Sequence, residues 1–170
     1  MKLLTTLLTT IILVVCTSAQ EAASAAHPSP AFDKMKSLVG EWKGKALEGG
    51  KEIPTSTSFK LVSDGSALLS DLNPGTADEM VTLFHMDNSD FLATHYCSTH
   101  NQPRFRAVAG SDPNVILFEF KDATNLATPD APHMDHVKFI IIDADHHIEE
   151  WSYLDNGKIA TGRFDFHRKK

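Results

Sequence analysis

The sequence predicts an all-β protein: an up-and-down β-barrel of about ten antiparallel strands with a short N-terminal helix. Three observations carry this. Turn-forming residues recur roughly every 10 to 17 positions from Gly49 to Gly157. The segments between them are short and rich in β-branched and aromatic residues, and helical periodicity is confined to one stretch before Gly40. Such a pattern fits a sandwich or a barrel, and a meander that closes on itself removes its raw edges, which favours the barrel. The chain of 170 residues is 42% hydrophobic and 22% charged, with 9 Gly, 8 Pro and 2 Cys. That composition fits one ordinary globular domain and excludes a disordered, collagen-like or disulfide-knitted chain. A formal net charge of −6 offers no electrostatic footprint for nucleic acid.

Residues 1–19 read as a secretory signal peptide: Lys2 supplies the positive start, Leu3 to Val15 the apolar stretch, and Thr17-Ser18-Ala19 the small residues before cleavage near Ala19. The apolar run is too short for a membrane anchor, so no stable membrane insertion is expected after cleavage. Val15 is too large to precede a lipid-modified Cys16. Localisation is expected to be secreted or periplasmic, with Cys97 the one cysteine remaining in the mature protein. Residues 20–30, rich in Ala, Ser, Pro and Glu, suit a flexible tether, and residues 31–170 form the barrel domain.

The helix is punctuated by Ser29 as cap, Pro30 in the first turn and Gly40 as terminator, with Phe32, Met35 and Val39 on one face. Strand runs follow at Ser58–Val62, Met80–Met86, Phe91–Cys97, Val115–Lys121, Val137–Ile142, Ile148–Tyr153 and Ile159–His167. A two-residue turn at Asn88-Ser89 would pair Phe84 with Ala93, Thr82 with His95 and Met80 with Cys97.

The helix followed by Gly40-Glu41-Trp42 and a β-meander resembles the calycin superfamily of lipocalin-like barrels. The resemblance implies that Trp42 packs at the closed end under an arginine from near the chain's end, here Arg168. Glu79-Met80-Val81-Thr82, His85-Met86-Asp87, Thr94-His95-Tyr96-Cys97, Asn101-Gln102-Pro103-Arg104 and His133-Met134 together resemble bacterial exported lipocalin-like families of unknown function. That likeness implies a fold and no established activity. Nitrobindin-type haem barrels are more distant in shape, and their haem-ligand surroundings are not found in this sequence.

His95 and Cys97 project from one face of a strand, because residues two apart do so. Imidazole and thiolate are good ligands for zinc, copper or iron, so His95 and Cys97, joined by His133 or His136, are candidate metal or haem ligands. They also form a candidate nucleophile–base pair, though without an identifiable third group. The structural alternative is a small buried cysteine and a hydrogen-bonded core histidine. Arg104 shares a face with Arg106; turned inward it would grip a carboxylate or phosphate, turned outward it is a solvated charge. Asn101 and Gln102 read as turn residues and Asn125 as a loop residue at the same rim. Asp143 to His147 read as a polar hairpin tip, lacking the length and glycine of a calcium loop. Glu149, Trp151 and Tyr153 share a face that either lines the cavity or forms core.

The function expected from these residues is binding of a small, mainly apolar molecule, with His95, Asn101, Gln102, Arg104, Asn125 and His133 as polar anchors at the barrel mouth. The alternative is a zinc- or haem-binding barrel, with or without catalysis, built on His95, Cys97 and His133. No cofactor is required by the first reading.

Overall fold

The computed structural model describes residues 29–170 apart from Gly49; residues 1–19, read above as a signal peptide, and most of residues 20–30, read as a tether, lie outside the described residues. Ten strands follow one helix: α1 (Pro30–Lys36), β1 (Gly40–Glu48), β2 (Lys51–Val62), β3 (Ala67–Leu72), β4 (Met80–Asp87) and β5 (Asp90–Tyr96). The second half is β6 (Gln102–Val108), β7 (Val115–Thr124), β8 (His133–Ile141), β9 (His146–Asp155) and β10 (Lys158–Arg168). Each strand pairs antiparallel with the next, and β10 returns to β1, closing the barrel. Among the described residues no helix is long and apolar enough to cross a membrane.

Ser29 caps α1 by accepting from the Phe32 amide at 3.2 Å, and Pro30 opens the helix, where its missing N–H costs nothing. Seven residues do not make a self-sufficient helix; α1 is held by burial against one end of the barrel. Phe32 meets Phe91 with centroids 5.1 Å apart, and Met35 is fully buried. The third buried contact is Leu38 rather than Val39, which is exposed. Helical spacing no longer applies there, because α1 ends at Lys36 and Ser37 is the cap.

Closure of β10 on β1 depends on this same end. Trp42 donates from its indole nitrogen to the Leu38 carbonyl at 2.8 Å. Arg168 lies over the Trp42 ring, Cζ 4.1 Å from the centroid, as the calycin resemblance implies. Its guanidinium donates to the carbonyls of Val39 (2.8 Å), Ser37 (2.9 Å) and Ala144 (2.9 Å). Gly40, with φ +135°, lets the chain pass beneath that guanidinium. Gly44 permits a still closer approach: a Cβ there would lie 1.9 Å from the Asp165 carbonyl oxygen and 2.9 Å from Phe166 Cδ1.

The half of the interior nearest α1 is filled by aromatic rings. Phe59, Phe84, Phe91, Phe118, Phe139 and Phe166 are buried together with Trp42; the first five meet at tilted or edge-on angles, while Phe166 stacks on Phe164 and His147. Toward the opposite end the inward row loses burial. On β10, Phe166 and Phe164 are buried, Gly162 is half-buried and Ala160 is exposed. On β2, Phe59, Thr57 and Thr55 are buried, whereas Ile53, on the same inward row, is 45% exposed. The end away from α1 is therefore the mouth.

Candidate functional site

The hairpin between β4 and β5 has the expected register. Asn88 takes a positive φ of 54°, the two-residue turn pairs Asp87 with Asp90, and Thr82 faces His95. The Thr82 hydroxyl lies 2.8 Å from His95 Nδ1. His95 is only 1% exposed, and its other ring nitrogen, Nε2, is buried with no hydrogen-bond partner. Burial pushes the His95 pKa down to about 4, because the imidazolium would lose its hydration without gaining an acid. The ring is therefore neutral at physiological pH. The Thr82 hydroxyl rotates freely between roles: if it accepts from Nδ1–H, Nε2 is a bare acceptor; if it donates, Nε2–H is a bare donor.

Against His95 lies Trp151, the ring centroids 4.7 Å apart and tilted by 38°. Trp151 belongs to an inward row on β9 that runs His147, Glu149, Trp151, Tyr153. The Glu149 carboxylate, 1% exposed, is bonded to both inward neighbours: its Oε1 lies 3.1 Å from His147 Nε2, and its Oε2 accepts from Trp151 Nε1 at 2.8 Å. His147 in turn meets the Trp42 ring edge-on with centroids 4.3 Å apart. A polar seam thus runs from the closed end to His95 through an otherwise aromatic interior. Nearer the mouth, burial, and then Asp155 and Cys97, push the Tyr153 phenol above its ordinary pKa.

The reading of Asp143 to His147 as one polar hairpin tip is corrected here: β9 begins at His146, and His147 is fully buried inside the barrel. His147 continues an alternating inward row His-x-Glu-x-Trp-x-Tyr, and that period of two was the available signal.

The remaining anchors serve the rim. Asn101 is buried, accepting from the Thr99 hydroxyl at 3.0 Å and donating to the Pro132 carbonyl at 2.8 Å. Gln102 opens β6 rather than lying in the turn; it donates to the His100 carbonyl at 3.3 Å and accepts from Thr124 at 2.7 Å. Asn125, at φ 58°, donates to that same His100 carbonyl at 2.6 Å. These three side chains tie the β5–β6 loop to the end of β7 and the loop beyond it, so their polar groups are already engaged. Arg104 points outward and pairs with Asp122 across the β6–β7 ladder, while Arg106 pairs with Asp90. The inward orientation that Arg104 needs as a ligand anchor is thereby overturned: Phe105, between the two arginines, takes the interior position.

The metal set of His95, Cys97 and His133 is not gathered. Cys97 lies just beyond the end of β5, its Sγ 3.1 Å from Thr99 Oγ1. Because the single Thr99 hydroxyl proton goes to Asn101, the thiol is the donor in that contact. His133 is the first residue of β8, buried against Phe120 with centroids 4.5 Å apart, its Nδ1 2.6 Å from the Ala131 carbonyl. His136 sits beyond an irregularity between Met134 and His136 and is bonded to Asp135 at 2.8 Å. Among the described residues the one three-residue group with metal-ligand spacing is His146, Asp165 and His167. A half-open groove of about 770 Å³ lies on the wall of β7 to β10, lined by Glu119, Asp135, His136, Lys138, Glu150 and Thr161 among others.

The barrel is similar to the crystal structure of Rv2717c from M. tuberculosis, with a TM-score of 0.57 and 15% identity, covering 85% of this chain and 100% of that one. It is also similar to a protein of unknown function of the DUF3598 family from Nostoc punctiforme PCC 73102, with a TM-score of 0.54 and 13% identity. That likeness covers 79% of this chain and 48% of the other. No protein-family model and no curated protein matches the chain. At these identities the likeness shows the fold alone: a closed antiparallel barrel of ten strands.

Proposed function

We propose that the protein is an exported small-molecule-binding barrel, whose mainly apolar ligand enters at the mouth and forms one hydrogen bond to His95. The observation that carries this is the partnerless, buried Nε2 of His95 beside the Trp151 face. A buried polar group without a partner costs on the order of 1–3 kcal/mol, and a ligand carrying one hydroxyl, carbonyl or amine would relieve that cost. Mainly apolar walls with a few directed polar groups are the usual make-up of a small-molecule site. Export rests on the sequence reading of residues 1–19.

The same nitrogen supports a second reading, an axial haem ligand, since metal-bound imidazoles are commonly neutral with the other ring nitrogen fixed by a hydrogen bond; zinc needs three or more protein ligands, and Cys97 and His133 are held elsewhere. Native mass spectrometry of the protein purified from its own host separates the readings. An organic mass excess lost in His95→Leu supports the carrier, and a haem excess lost in that variant supports the haem reading. A bare polypeptide mass, with no change in tryptophan fluorescence on adding a panel of apolar alcohols, ketones and amines, refutes both.

A further inference from the structure

We propose that His146, Asp165 and His167 form a surface site for a divalent transition-metal ion of the zinc type, on the outer wall at the closed end of the barrel. His146 and His167 are direct cross-strand partners on β9 and β10, and Asp165 lies two residues before His167, on the same face. Their rings stack with centroids 4.3 Å apart and an interplanar angle of 21°. Both Nε2 atoms converge on one carboxylate oxygen: Asp165 Oδ1 is 3.0 Å from His146 Nε2 and 3.4 Å from His167 Nε2. One ligand atom from each of the three lies within 4.8 Å of the others.

Those spacings suit a metal. Ligands about 2.0–2.1 Å from a tetrahedral zinc ion stand about 3.3–3.4 Å from one another. The two oxygen–nitrogen separations straddle that value, so small side-chain rotations bring all three ligand atoms onto one ion. Two imidazoles and a carboxylate are a donor set zinc accepts readily, leaving one position for water or an anion. The backbone is held in place too: the Arg168 amide donates to the Asp145 carbonyl at 2.9 Å, extending the ladder just past His146 and His167. Lys43 and Lys45 are the β1 partners of His167 and Asp165; Lys45 is engaged by Glu52 at 2.6 Å. Both lysines line a half-open groove of about 580 Å³ that also reaches Asp165, His167 and Arg163.

The test is calorimetric titration of the whole protein with zinc ion alone, comparing the wild type with His167→Ala, Asp165→Asn, His100→Ala and His95→Leu. His167 is 66% exposed at its side chain, so its removal leaves the fold intact. One equivalent of zinc is expected, weakened roughly tenfold or more by His167→Ala and Asp165→Asn and unchanged by His100→Ala and His95→Leu. Equal binding by the wild type and His167→Ala overturns the proposal, as does the absence of a stoichiometric site. Loss of the zinc in His95→Leu places the ion inside the barrel and likewise overturns it.

Discussion

Replacing His95 and its partner together separates a binding role from a structural one. In His95→Leu/Thr82→Val the hydrogen bond between them is lost from both sides, worth about 0.5–1.5 kcal/mol, while the orphaned Nε2 disappears and returns about 1–3 kcal/mol. The double variant is therefore expected to be as stable as the parent or more stable by up to roughly 2 kcal/mol, once any bound ligand is stripped from the parent. The pH profile sharpens this. Since the folded His95 pKa lies at about 4 against 6.5 for an ordinary histidine, the unfolded chain takes up a proton between those values that the folded protein refuses. Stability is thus full above about pH 6.5 and falls toward pH 4, by roughly 3 kcal/mol over the window. In the double variant that part of the fall vanishes. Urea unfolding at pH 7.5, 6, 5 and 4 measures both effects. A loss exceeding about 2 kcal/mol at pH 7.5 would mean that His95 is retained for packing and that its unpaired nitrogen marks no ligand.

Three further substitutions probe other parts of the barrel. Glu149→Ala strands the His147 and Trp151 ring nitrogens in a buried seam and is expected to cost about 3–5 kcal/mol, read as a lower urea midpoint; a loss under 1 kcal/mol would deny the seam its structural weight. Gly44→Ala forces a methyl against the Asp165 carbonyl and the Phe166 ring, so the melting temperature should drop by several degrees; an unchanged Tm would show that β10 can shift freely. Arg104→Ala removes an exposed pair and should change stability by less than about 1 kcal/mol and leave ligand retention intact; loss of ligand would restore Arg104 to the binding site.

The architecture was legible because its signals are local. A turn such as Asn88-Ser89 determines which residues face one another, and alternation determines which side they face; so the Thr82–His95 pair followed from the sequence directly. Arg104 was misplaced because its counter-ion, Asp122, lies 18 positions away on a neighbouring strand, and a register shift between Arg104 and Phe105 intervenes. The same limit hid the engaged state of Asn101 and Asn125, whose partners are carbonyls in other loops. His147 was masked by its acidic neighbours, although its inward row continues at period two through Trp151. The surface cluster required knowing that β9 and β10 align His146 with His167, a register set by the Asn156-Gly157 turn.

The Arg168 latch bears on how the molecule comes into being. Its guanidinium reaches the Ser37 carbonyl across 131 positions of chain, and the β1–β10 ladder joins the first strand to the last. β1 to β9 pair through successive hairpins, whereas the outer edge of β1 is satisfied only by β10. Loop closure over such a distance is a slow, late event. A truncation before Arg163 removes the β1 partners on β10 and is expected to leave two raw sheet edges where the closed barrel has none.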